Sequence, residues 1–207
     1  MTIAVINPAT GETVETFDEH SADEVEARVH KAHKAFEALK ETSYAERAVW
    51  MKKAADIMES EVEDLAKMLV IEMGKPIVQA EAEVLKCAKN MRFYADNAEK
   101  FLADEPLDDP SSVNASSAYL HYQPLGVVLA VMPWNYPLWQ VIRFAAPALM
   151  AGNTGVLKHA SNVPHSALYL DSVFTRAGFP DGSFTTILTS AGPIAGLLED
   201  RRIKAVT

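Results

Sequence analysis

The chain has 207 residues, 28 acidic against 19 basic side chains, and a formal net charge of −9. That balance disfavours nucleic acid and anionic membranes as partners. No apolar run approaches the roughly 20 residues of a membrane span, and the first residues lack the basic, apolar pattern of a secretory leader. A single cysteine, Cys87, excludes an internal disulfide framework and fits a reducing, cytoplasmic setting.

Residues 3–6 and 12–17 read as a short hairpin around Asn7-Pro8-Ala9-Thr10-Gly11. A first helix is predicted from Ser21, because Ser21-Ala-Asp-Glu24 fits a capping box and Val25, Val29, Ala32, Phe36 and Leu39 form one apolar stripe. The same device recurs at Ser43–Glu46, before Trp50, Ala54 and Ile57, and at Ser60–Glu63, before Leu65, Met68 and Leu69. Gly74 and Pro76 stop the third helix. A fourth is expected over residues 77–102, with Ile77, Ala80, Val84, Cys87, Met91, Tyr94 and Ala98 as its stripe. Cys87 then lies on the buried face, where a thiol stays protonated and inert, so it is not a candidate nucleophile. The six histidines are scattered, and none shows zinc-ligand spacing.

Residues 104–117 are polar and rich in turn formers, hence a connector, and residues 119–124 read as a strand with exposed aromatics. From Gly126 the pattern changes. Strands are predicted over 127–132, 155–158, 184–188 and 203–206, alternating with helices over 138–151, 164–177 and 193–198. The fold class is therefore α/β: an N-terminal helical segment followed by a Rossmann-like parallel sheet. Thr207 ends on an apolar strand with no closing helix, which leads us to expect the N-terminal part of a longer protein.

The stretch from Gly126 to Lys158 organises the chemistry. Val127–Met132 is a continuous apolar run, expected to be buried on both faces. Pro133 and Pro137 then bracket Trp134-Asn135 in a stiff loop at the strand's C-terminal end, where open α/β sheets bind ligands. An ordinary strand-to-helix turn with a packed tryptophan fits the same residues. Asn135 offers an uncharged amide donor suited to an oxyanion. In a helix beginning near Leu138, Trp139 and Arg143 share a face, and Arg143 in a cavity would suit a substrate carboxylate; a surface cation fits equally. Lys158 ends a buried strand, placed either to meet ribose or phosphate or simply to snorkel from the strand end. The usual Gly-x-Gly-x-x-Gly turn is absent. Gly192-Pro-Ile-Ala-Gly196 is its nearest substitute, and a packing turn is the plainer reading of those glycines alone.

Pro133-Trp-Asn-Tyr-Pro137, residues 145–154, Leu157-Lys158, Ala177-Gly-Phe-Pro-Asp-Gly182 and Gly192–Gly196 together resemble the aldehyde dehydrogenase superfamily over essentially the whole chain. The start at Asn7-Pro-Ala-Thr-Gly-Glu12 and Glu72-Met-Gly-Lys-Pro76 share the likeness. Residues 158–164 and 134–152 are most similar to the bacterial succinate-semialdehyde dehydrogenases. The resemblance implies that Met132, Pro133, Trp134, Asn135, Lys158, Ser161, Gly192 and Gly196 bind the cofactor. It implies Asn135 as the catalytic oxyanion donor, and Trp139 and Arg143 as substrate contacts. Ser161 stands where NAD-preferring members often carry a glutamate, which tilts the expected cofactor to NADP, with NAD as the alternative. Residues 1–111 and 125–207 would form an incomplete cofactor-binding domain, and 112–124 the start of an oligomerisation hairpin. The expected activity is oxidation of succinic semialdehyde within a homo-oligomer. The family's thiol nucleophile and glutamate base are absent from these residues, so the chain alone is expected to be inactive. A non-enzymatic nucleotide-binding or subunit-interaction module, or another aldehyde specificity, is the alternative.

Overall fold

The computed structural model describes residues 3–207. Ile3–Ile6 (β1) and Thr13–Phe17 (β2) pair antiparallel about a turn in which Gly11 adopts φ +74°. Four helices follow: Ala22–Leu39 (α1), Tyr44–Ser60 (α2), Val62–Met73 (α3) and Ile77–Phe101 (α4). The capping boxes at Ser21 and Ser43 both form. Each serine hydroxyl accepts from the amide of the glutamate three residues on, at 3.2 Å, and each glutamate accepts from the serine amide.

The third predicted box does not form. Ser60 is the last residue of α2, its hydroxyl donates to the Ile57 carbonyl at 2.8 Å, and α3 starts after Glu61 without a side-chain cap. A serine near a helix end can serve the preceding turn as readily as the next one. The buried face of α2 also differs from expectation. It is Met51, Ala54, Ala55 and Met58, with Trp50 and Ile57 half-buried on the flanks. On α4 the stripe from Ala80 through Val84, Cys87 and Met91 to Ala98 is buried, but Ile77 is exposed.

Glu105–Pro106 (β3) and Tyr119–Leu120 (β4) form a two-stranded antiparallel ladder around a 3₁₀ turn at Pro110–Val113. The strand expected over 119–124 is thus only two residues long. The remaining elements are Val127–Met132 (β5), Trp139–Met150 (α5), Thr154–His159 (β6), Pro164–Ala177 (α6), Phe184–Thr186 (β7), Ile194–Leu198 (α7) and Ile203–Val206 (β8). The four strands make one parallel sheet in the order β7-β6-β5-β8.

Alternation along the strands divides two cores. Ala130, Leu157 and Phe184 face α5 and α6, against which α2, α3 and α4 pack as a further layer. Val127, Leu129 and Val156 face Val25, Val29 and Ala32 of α1 and Leu197 of α7. The burial expected along all of β5 holds for its first four residues only; Val131 is 43 % exposed at the C-terminal rim. Among the described residues, no helix is long and apolar enough to cross a membrane.

Candidate functional site

The chain steps from β5 outward to β6 and β7, then returns to place β8 on the other side of β5. The C-terminal edge between β5 and β8 is therefore the topological switch point, where loops diverge and leave a crevice. Pro133 ends β5 there, and Trp134, Asn135 and Tyr136 stand exposed on the rim.

This loop is held from below by groups distant in sequence. Glu83 of α4 is 3 % exposed, and its Oε1 accepts from the backbone amides of Leu138 and Trp139, both at 3.0 Å. It caps α5 from another helix, in place of the local cap that α5 lacks. Lys75 pairs with the other oxygen of Glu83 and sets its ammonium 3.7 Å from the centre of the Tyr136 ring. His159, at the end of β6, bonds the Pro137 carbonyl through Nε2 at 2.9 Å. The Ala160 amide donates to His159 Nδ1, so Nε2 carries the hydrogen. Burial pushes the His159 imidazole down to about 4, which keeps it neutral.

The loop after β6 has a parallel arrangement. Glu72 of α3 is buried and accepts from the amides of His165 and Ser166 at the start of α6, and from the Ser166 hydroxyl. Burial raises the Glu72 carboxyl above its ordinary range, with the Ser166 hydroxyl opposing. Both helix starts that face the crevice are thus sealed by carboxylates, and neither is open to a phosphate in the manner of a glycine-rich turn.

Lys158 pairs in register with Val131, so it reaches the same rim as the Trp134-Asn135 loop. It lies two residues after Val156 and hence on the α1–α7 side of the sheet. Burial pushes its ammonium down, and the charge of Glu19 partly restores it. Glu19 accepts from the Ser190 amide at 3.0 Å, which brings the segment leading to Gly192 towards this lysine. Gly192 and Gly196 have ordinary φ, and a Cβ on either would meet no atom within 4 Å. Nothing within the chain requires glycine at these two positions, so the small surface they leave is available to a ligand. Ser161 is half-buried, and its carbonyl accepts from the Ala4 amide of β1 at 3.3 Å.

On the other side of β5 a groove of about 670 Å³ brings Met132 and Pro133 together with Gln140, Arg143 and Phe144 of α5 and with Thr207. Arg143 is exposed within it. Trp139 lies apart from this groove, half-buried against the α4–α5 core with the Lys86 ammonium 3.7 Å from its ring centre. Asn135, Met132, Pro133, Trp134, Lys158 and Ser161 thus share one rim of the sheet. Arg143 opens on the groove beside it, and Trp139 faces the helical layer.

Sequence reading passed over Glu83, Glu72, Lys75 and His159. A signal existed for the two glutamates: each interrupts an apolar stripe, Glu83 next to Val84 and three residues after Ala80, and Glu72 three residues after Leu69. A carboxylate in that position is buried and needs donors from elsewhere. Cys87 is fully buried, and burial drives its thiol well above the ordinary value, as expected.

A parallel sheet with a switch-point crevice, a strand-end lysine and a clamped amide-bearing loop define a doubly wound α/β domain of the kind that binds ligands at this edge. The aldehyde dehydrogenase family model matches residues 1–207, and the chain belongs to that family. It is 58 % identical over its whole length to a succinate-semialdehyde dehydrogenase [NADP(+)] 1 of Mycobacterium bovis, and covers 45 % of that protein. It is 56 % identical to an aldehyde dehydrogenase of Paenarthrobacter nicotinovorans, with the same coverage. The fold is similar to the succinic semialdehyde dehydrogenase from Streptococcus pyogenes in complex with NADP+, with a TM-score of 0.93 and 32 % identity over 99 % of this chain and 44 % of the other. The chain spans less than half the length of these relatives.

Proposed function

We propose that this chain is the cofactor-binding part of an NADP-dependent oxidoreductase that converts succinic semialdehyde to succinate. The observation that carries the reading is the rim itself: an exposed amide on a clamped loop and a desolvated lysine on the neighbouring strand, at the same C-terminal edge of the sheet. The relatives' names and the NADP+ complex of the structural neighbour support the cofactor and the substrate.

Lys158 and Ser161 would hold the adenosine ribose and its 2′-phosphate, through an ammonium and a hydroxyl that both donate. Gly192 and Gly196, which leave open space beside them, would lie against the adenine and pyrophosphate region; Met132, Pro133 and Trp134 would line the cleft. Bound NADP supplies the hydride acceptor. Asn135 donates its amide hydrogen to the oxygen of the aldehyde as a thiolate adds to the carbonyl carbon. Cys87 is not that thiol, since it is buried and protonated, so the nucleophile comes from outside these 207 residues. Arg143 would pair with the substrate carboxylate in the groove beside β5. Residues 1–111 and 125–207 make up the cofactor-binding domain, and residues 112–124 begin an oligomerisation hairpin in a cytoplasmic homo-oligomer; Trp139, packed against the helical layer, is set apart from the groove that holds Arg143.

The test is turnover of succinic semialdehyde with NADP, followed by absorbance of the reduced cofactor. The 207-residue chain alone is expected to be inactive; activity that persists in Cys87→Ser would overturn that. In the active protein, Asn135→Ala is expected to lower kcat by about 10²–10³-fold. Arg143→Ala should raise KM for succinic semialdehyde and leave an uncharged aldehyde of equal length unaffected. An unchanged kcat in Asn135→Ala sinks the oxyanion assignment.

A further inference from the structure

We infer that Lys75 and Glu83 are positioning residues for Asn135, a buried ion pair that sets the height and orientation of the loop at the crevice. The inference rests on the oxyanion reading of Asn135.

Four consecutive residues after Asn135 are each fixed by a group from outside the loop. Tyr136 is held at its ring by the Lys75 ammonium, 3.7 Å from the centroid. The Pro137 carbonyl is held by His159 at 2.9 Å. The Leu138 and Trp139 amides are held by one oxygen of Glu83, at 3.0 Å each. Asn135 is the first residue on the exposed side of this set. With Tyr136 to Trp139 immobilised, the Asn135 backbone has only one free flank, towards Trp134. A donor that must meet developing charge without reorganising needs that kind of support.

The pair is built for fixity. Lys75 and Glu83 are 6 % and 3 % exposed, and the lysine serves two masters at once, the carboxylate and the Tyr136 face. Lys75 follows Gly74, the left-handed residue that ends α3, while Glu83 is in the second turn of α4. The α3–α4 corner is thereby coupled to the Asn135 loop, and a change at Lys75 moves a loop 60 residues further along the chain only through these contacts.

The test uses the catalytically active protein that includes these residues. Lys75→Met removes the ammonium. Lys75→Met/Glu83→Gln removes both charges together, so that no buried charge is left alone and the fold is kept. In either variant kcat is expected to fall by about 10-fold to 10²-fold, while KM for aldehyde and for NADP changes by less than about threefold. In an Asn135→Ala background the same substitutions should change kcat by less than about twofold, because their route to the chemistry is already gone. An equal loss in both backgrounds, or no loss in the native one, overturns the inference.

A second readout is independent of turnover: backbone amide exchange over residues 133–139. Faster exchange confined to this segment supports positioning, and unchanged exchange overturns it. Should Asn135→Ala itself leave kcat intact, the oxyanion reading fails, and exchange alone decides whether the pair holds the loop.

Discussion

Two buried glutamates cap two helices at the same rim, and they are equipped differently. Glu83 has a lysine against it, and serves α5 and the Asn135 loop. Glu72 has no lysine; its neighbours are the Ser166 hydroxyl, two amides, and His165, whose Nδ1 is 3.9 Å away and whose Nε2 bonds Glu15 on β2. The comparison separates two ways of keeping a carboxylate inside a protein. One meets a fixed countercharge, whereas the other relies on hydrogen bonds and is raised towards its neutral form by burial.

The sharpest way to break this contrast is the same substitution at both places. Glu83→Gln leaves Lys75 buried without its partner, and is expected to cost about 3–5 kcal/mol in urea unfolding. Adding Lys75→Met should recover part of that loss. His159 comes next. Its imidazole is held near 4 in the folded chain against an ordinary 6.5. Between those values the unfolded chain binds a proton that the folded one refuses, so stability falls as pH drops from 6.5 to 4 and then levels off. The loss is on the order of 3 kcal/mol. Unfolding of His159→Gln at pH 7 and pH 4.5 should show a flatter profile than the native chain. The smallest effect is expected from Glu72→Gln, within about 1 kcal/mol at pH 7, because the new carbonyl oxygen can accept from both amides, the NH2 can donate to the Ser166 hydroxyl oxygen, and no charge has to be desolvated. With its carboxyl raised in the folded state, Glu72 contributes stability below its ordinary value of 4.5 that is lost as pH rises through the folded value. The variant should therefore lack that acid-side gain, opposite in sign to His159. A loss at Glu72 equal to that at Glu83 would erase the distinction between the two caps.

Much of the fold was legible because its signals are local. Helix α6 lies between Pro164, which begins it, and Gly178 at φ +111°, which ends it, and both boundaries match the reading from sequence. Strands β5 and β8 were placed to the residue, and α5 to within one residue at each end. The failures occur where a residue had two possible partners. Ser60 turned back to Ile57 rather than forward to Glu63, so one helix boundary was misread. Only two residues of the 119–124 segment pair as a strand, because β3 opposite them is equally short.

The candidate site was legible in its outward-facing half. Proline-bracketed Trp134-Asn135 and the strand-end Lys158 announce themselves through their neighbours in sequence, and the structure puts them on one rim. The inward-facing half was hidden, since the amides that donate to Glu83 are 55 and 56 residues away and those that donate to Glu72 are 93 and 94. Both went unremarked in the sequence; periodicity can mark a charge on an oily stripe but offers no way to say what it meets.

The sealed start of α5 also frees the turn before it. A backbone that must cradle an anion has to shed its side chains, and glycine is what remains. Here two amides at the start of the helix already donate to Glu83 of α4, so no bulk has to be surrendered on their account. That freedom is what lets two large aromatic rings, Trp134 and Tyr136, stand where a nucleotide-binding turn would otherwise be bare. Inorganic phosphate or sulfate in a buffer should accordingly find no foothold at this turn, whatever its concentration does elsewhere on the surface.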